Sequence, residues 1–260
     1  MKRCLGKVLF MLAVALIGVT PAVAALFTST LGTLQPNSSD CDDCFDGPAA
    51  FPGSGQSINF FGTTYTGVFV GSNGYVTFGA GHSNFVTFPL NTQTVGPMIA
   101  GEFTDLDSRS DAPSNVWVNN STPGQLIITW QALGHFSLNY GVRSTFQLVV
   151  RSDQFAVPTG QGQIGFFFDS ISDSSTASAG FGDGLAAINP GEVSIYSGPA
   201  SSFSGHAPLW FNLSGGVPSA PTPTTRVPVP TLSEWGMILL SGLVGLIGLV
   251  MLQRRLRRYA

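Results

Sequence analysis

Eight carboxylates gathered in two short stretches are the residues of this 260-residue sequence best placed to do chemistry. Asp40, Asp42, Asp43 and Asp46 crowd the first, and Glu102, Asp105, Asp107 and Asp111 the second. Calcium takes roughly six to eight oxygens from carboxylates, carbonyls and water, so each stretch is a candidate structural calcium site. Neither has the spacing of an EF-hand loop, and solvated acids capping turns are the plainer reading of both. A second chemistry for the later stretch is hydrolysis of a matrix polysaccharide, with Asp105 and Asp107 or Glu102 as paired carboxylates. Side chains alternate along a strand, so Asp105 and Asp107 point to one side, and no second acid is obvious across a cleft.

Other routes to catalysis find less. A Ser/His/Asp site needs one of three histidines, His82, His135 or His206. Each stands beside glycine or serine in an expected loop, and no Gly-x-Ser-x-Gly elbow occurs. Gly160-Gln-Gly-Gln-Ile-Gly165 spells a dinucleotide fingerprint. It runs into the apolar Phe166-Phe-Phe168 instead of a helix N-terminus, so it reads as a loop between strands. Cys41 and Cys44 are the cysteines outside the N-terminal leader. In an oxidising compartment they read as a local disulfide, because four surrounding aspartates disfavour the thiolate that redox chemistry needs. Zinc lacks a second Cys or His pair nearby. No catalytic residue is assigned, no cofactor is expected beyond the candidate calcium, and the chain is read as a non-enzyme.

The elements that must position these residues are strands. Before the tail no stretch repeats with the period of a helix. Short runs rich in Val, Ile, Phe, Tyr and Thr alternate with turn residues, the pattern of an antiparallel β-sandwich. The runs are 58–61, 64–70, 75–78, 98–103, 116–118, 126–131, 144–150, 163–169, 193–196 and 209–213. The fold class is mainly β, one sandwich-like domain over 58–214, preceded by an acidic segment (25–57) that holds the cysteines. Gly71-Ser-Asn-Gly74 is a turn between strands.

Both chain ends carry addresses. Lys2, Arg3 and Lys7 precede an apolar run, and Ala22-Val-Ala24 fits a cleavage site, so 1–24 reads as a signal peptide. Pro-rich 215–228 reads as an extended linker. From Trp235 to Leu252 stand 18 uncharged residues, long enough as a helix (about 27 Å) to cross a bilayer. We place the transmembrane helix at 236–252, inside a terminal segment 229–260. Arg254-Arg-Leu-Arg-Arg258 is then its cytoplasmic end. Between Ala25 and Leu232 four basic residues stand against thirteen acidic ones, a net charge of −9. Such a surface excludes nucleic acid as a partner, since phosphate must be neutralised by Lys and Arg.

Two resemblances follow from motifs. Val229-Pro-Thr-Leu-Ser-Glu-Trp-Gly236, with its span and arginines, resembles the IPTL-CTERM sorting signal of Gram-negative bacteria, Val standing for the leading Ile. The resemblance implies an exosortase-type membrane enzyme as partner, acting near Pro230, Thr231, Leu232, Ser233, Glu234 and Trp235. The body resembles the extracellular nidogen-like (NIDO) domain over about 60–197. The resemblance is carried by Phe60-Phe-Gly62, Val68-Phe-Val-Gly-Ser-Asn-Gly-Tyr-Val-Thr-Phe78, Phe88-Pro-Leu90, Phe103-Thr-Asp-Leu-Asp-Ser-Arg109, Ile128-Thr-Trp130 and Ser144-Thr-Phe-Gln-Leu148. The Trp that the family places after the Phe-rich strand is missing, since Phe168 is followed by Asp-Ser-Ile-Ser. This resemblance implies a surface or matrix protein linked with cell–matrix adhesion and carries no catalytic residues. The expected protein is exported, held in the inner membrane before processing, then delivered to the surface or medium. There it binds extracellular polysaccharide or matrix protein, or serves as a purely structural matrix component.

Overall fold

A computed structural model describes residues 25–109, 115–173 and 175–219, with Leu243, Gly248, Gln253 and Arg254 of the tail. The expected signal peptide 1–24, Asp111, the motif Pro230–Trp235 and nearly all of the expected span 236–252 lie outside the described residues. Those four tail residues are helical and exposed. Among the described residues no helix is long and apolar enough to cross a membrane. The chain divides into two units, Met1–Pro221 and Thr222–Ala260; the sheets belong to the first.

In chain order its strands begin with β1 (Thr33–Leu34), β2 (Phe45–Ala50), β3 (Ile58–Phe60), β4 (Thr63–Tyr65), β5 (Gly67–Gly71) and β6 (Tyr75–Thr77). Next come β7 (Met98–Phe103), β8 (Leu106–Asp107), β9 (Asn115–Asn119), β10 (Gln125–His135) and β11 (Asn139–Arg151). The last are β12 (Ile164–Ile171), β13 (Thr176–Gly182), β14 (Val193–Pro199), β15 (Leu209–Ser214) and β16 (Val217–Ser219). One eight-stranded sheet runs β1-β9-β10-β11-β12-β15-β16, with β8 also on β10. A six-stranded sheet runs β14-β13-β7-β6-β5-β2, and β3 pairs with β4 alone.

The two large sheets bury one core between them. Leu126, Ile128, Trp130, Phe146, Leu148, Phe166 and Phe168 meet Val68, Val70, Val76, Ile99 and Phe181 there. The middle strands are buried on their outer faces as well. On the eight-stranded sheet, Ile127, Val149 and Phe167 are covered by Phe27 and Trp210, with Phe27 and Phe167 rings 5.3 Å apart. On the six-stranded sheet, Tyr75, Met98, Ala100 and Phe103 lie under Leu90, Phe88 and Val95. That double cover explains why all six residues of β7 are buried and why its sequence, apart from Glu102, is apolar instead of alternating.

Most expected strands lie where their β-rich runs are, with differences of physical origin. The run 64–70 is two strands, β4 and β5, separated at Thr66. β10 and β11 extend to 11 and 13 residues, well past their apolar stretches, because each strand's backbone pairs with neighbours whatever its side chains are. The segment 25–57 is not a separate region. β1 pairs with β9 and β2 with β5, so both close edges of the sandwich. Likewise β16, read as the start of the linker, pairs with β15.

Candidate functional site

The carboxylates converge through loops at the ends of β2, β5, β7 and β10. Asp42 and Asp43 lie in the loop closed by the Cys41–Cys44 disulfide, whose Cα atoms are 6.0 Å apart. That loop is pinned to β8 by Ser108, whose backbone N–H donates to the Cys41 carbonyl at 3.0 Å while its hydroxyl accepts the Cys41 N–H at 3.0 Å. Asn73, in the turn between β5 and β6, is the hub. Its Nδ2 donates to Asp43 Oδ1 at 2.8 Å and to the Asn84 carbonyl at 3.1 Å. Its Oδ1 accepts the Leu106 N–H at 2.8 Å. Only glycine serves at Gly74, where φ is +82° and a Cβ would collide with the Glu102 carbonyl.

The result regroups the eight acids. One ligand atom each from Asp42, Asp43 and Asp105 lies within 4.8 Å of the others. Asp42 Oδ1 and Asp105 Oδ1 are buried and have no hydrogen-bond partner among the described residues. Burial, with the nearby Asp43, Asp42 and Asp107 carboxylates, pushes Asp105 up to about 6. Burial and Asp107 also raise Asp42, against the pull of Arg109. Asp107 is spent on Arg109, which donates from Nε at 2.9 Å and from Nη2 at 2.7 Å. Burial opposes ionisation of Asp107, but these bonds outweigh it and hold the carboxyl below its usual range. Asp46 caps the 37–38 turn, accepting from Asn37 N, Ser38 N and Asn37 Nδ2 at 2.7 Å each. Asp40 is exposed with φ 55°. Glu102 points inward, with Oε1 2.8 Å from the Ser144 hydroxyl oxygen. Asp111 lies outside the described residues.

The cluster offers oxygen donors alone, which suits calcium in kind, and two of those oxygens bind nothing else. Three carboxylates supply about half of a calcium shell, with carbonyls and water left to complete it. As paired acids for hydrolysis the set does poorly. Asp107 is locked to Arg109 and Glu102 is fully buried, so neither faces Asp105 across a cleft. A cavity of about 350 Å³ lined by Asn59, Asp153, Phe155 and Leu213 contains none of the eight acids.

Two features are new relative to the sequence reading. Exposed apolar residues rim the cluster. Phe136 and Leu138, 60% and 55% exposed, are held there by bonds from Phe136 N to the Asp105 carbonyl at 3.0 Å and from Leu138 N to Asp107 Oδ2 at 3.2 Å. Phe85 and Val86, also exposed, follow Asn84. The only sequence signal was an apolar pair beside Gly134 in a run otherwise read as loop. The second is His135, expected as a solvated loop histidine. It is buried on the lengthened β10, with Nε2 3.3 Å from Ser144 Oγ and Nδ1 3.1 Å from Asp173 Oδ2. The contacts follow the order of a catalytic triad. Ser144, however, has 0% exposure, so no substrate reaches its hydroxyl.

The family model described as NIDO related matches residues 22–197, about two thirds of the chain, and the chain belongs to that family. The model described as the IPTL-CTERM motif matches residues 227–258. No curated protein and no solved structure matches. The two matches define the class: an exported, extracellular cell-surface protein whose terminal motif implies processing by an exosortase-type enzyme. The family match starts ahead of β1, in keeping with the place of β1 and β2 in the sheets.

Proposed function

We propose that this protein works at the cell surface by binding, in cell–matrix adhesion or in holding the extracellular polymer matrix together. Its ligand on this reading is a matrix polysaccharide or matrix protein. The observation that carries the proposal is the loop end of the sandwich. There three carboxylates, two of them with an oxygen that binds nothing else, sit beside Phe136 and Leu138, polar groups and exposed apolar area brought together as binding surfaces require. The protein is not an enzyme on this reading, in line with the locked Asp107 and the inaccessible Ser144. Before processing, 236–252 anchors it in the inner membrane.

A strain lacking the gene is the test. Attachment to a matrix-coated surface falls and is restored by the wild-type chain but not by one carrying Phe136→Ser and Leu138→Ser. Unchanged attachment in the deletion strain contradicts the proposal, and release of reducing ends from matrix glycans by the purified chain favours the hydrolase instead. The candidate calcium belongs to the same loops. Millimolar calcium raises the thermal midpoint of the wild-type chain by several degrees, as binding to the folded state alone requires, and leaves an Asp43→Asn, Asp105→Asn variant unchanged. An unmoved wild-type midpoint removes calcium from the account.

A further inference from the structure

The Glu102–Ser144–His135–Asp173 row has no part in the surface site, and it crosses between the two sheets. Glu102 is on β7 of the six-stranded sheet, His135 and Ser144 on β10 and β11 of the eight-stranded sheet, and Asp173 follows β12. Their exposures are 0%, 3%, 0% and 5% in that order. Two of the links are hydrogen bonds, 2.8 Å between Glu102 Oε1 and Ser144 Oγ and 3.3 Å between Ser144 Oγ and His135 Nε2; the third is an ion-pair contact, 3.1 Å from His135 Nδ1 to Asp173 Oδ2, too poorly aligned for a hydrogen bond.

Facing lone pairs repel, so each of the three contacts needs one hydrogen between its heavy atoms, and two arrangements supply these with the same protons. In one, the Ser144 hydroxyl donates to ionised Glu102, and a doubly protonated His135 donates to Ser144 and turns its Nδ1–H toward ionised Asp173. In the other, protonated Glu102 donates to Ser144, Ser144 donates to Nε2, and Nδ1–H faces ionised Asp173. The first buries three charges and the second one, so low polarity selects the second. Burial, with Asp173 adding to it, pushes Glu102 up to about 8, and burial holds His135 below its usual value against the opposing pull of Asp173. Both directions agree with the second arrangement. Removing one more proton leaves two buried carboxylates and no cation, and sets the Ser144 or His135 lone pairs against each other. Of the other charged or titratable groups on the packed elements, Arg143 reaches the Ala132 carbonyl and Tyr75 the His82 and Asn84 carbonyls. Asp105 and Asp107 belong to the surface cluster, and Asp169 on β12 is exposed.

We propose that these four side chains form a proton-holding clasp that ties the two sheets together at neutral and acid pH and weakens as the medium turns alkaline. The clasp stands independently of the binding proposed for the loops. Glu102 holds its proton to about pH 8 when folded and to about pH 4.5 when unfolded, so the stability it adds is complete below 4.5 and drains away up to 8. His135 acts oppositely, but only below about 6.5. The window from pH 6.5 to 8 therefore isolates Glu102. There the full-length wild-type chain loses about 3 °C of thermal midpoint per pH unit, and a Glu102→Gln variant, permanently neutral, loses much less. Equal slopes in the two chains overturn the proposal. Should Glu102→Gln fail to fold, nitrogen NMR of the wild-type chain reads the same point, with His82→Asn and His206→Asn variants to assign the ring. His135 is then neutral at pH 7 with its hydrogen on Nδ1, whereas a hydrogen on Nε2 alone contradicts the clasp.

Discussion

Trp130→Ala costs the exported domain about 3–5 kcal/mol, enough to remove most of the stability of an ordinary domain. Trp130 is fully buried and stacks on Phe146, ring centroids 4.9 Å apart and planes 13° from parallel. It lies at the centre of the eight-stranded sheet, where neighbours on all sides limit collapse into the hole. Its Nε1–H also donates to the Gly71 carbonyl at 2.9 Å, across the core to the turn that holds Asn73. Alanine therefore leaves a cavity and a buried carbonyl without its donor. Trp130→Phe separates the two effects, keeping most of the bulk and losing the hydrogen bond, for about 1–3 kcal/mol. Urea unfolding followed by circular dichroism measures both, and an alanine variant within about 1 kcal/mol of wild type contradicts the packing described. Since the same bond steadies the turn beneath Asp43, the phenylalanine variant also weakens any calcium-induced rise in midpoint.

The second large effect concerns sorting. Deleting Pro230–Trp235 removes the recognition motif and leaves span and arginines in place. The chain is then still exported but accumulates in the envelope, and the released fraction falls to background. Replacing Arg254, Arg255, Arg257 and Arg258 by Gln acts differently, because on the proposed reading it removes the charge that would keep this end cytoplasmic and leaves the motif intact. Subcellular fractionation with an antibody to the β domain measures both. Normal release after deletion of the motif places the processing signal elsewhere.

How far the sequence disclosed this molecule depended on what kind of signal each part carried. Strands rich in bulky or β-branched residues, such as Ser144–Val150, were legible because burial between sheets demands those side chains. β13 was not. Its Thr176-Ala-Ser-Ala-Gly-Phe-Gly182 is small and polar on its face, yet it pairs with β7 and β14 on both sides. β2 was hidden by Gly47 and Pro48, which an edge strand tolerates and a central one does not. For the site, the sequence located the acids but grouped them by proximity in the chain. Folding sorts them by loop end and strand face. Asp42 and Asp43 meet Asp105 through the Asn73 turn, Asp46 turns back to cap its own loop, and Glu102 turns into the core toward Ser144. Phe136 was passed over and His135 misread for one reason. Where β10 would stop was invisible, because its last residues hold their place through backbone pairing with β8 and β11.

The central claim is that this is a surface protein delivered through its tail, and intact-mass measurement of the chain recovered from the medium and from the envelope tests it most directly. The account predicts a released species that has lost the span 236–252 and the arginines beyond it, beside a tail-bearing species in the envelope. A released chain that still carries residues 236–260 contradicts it.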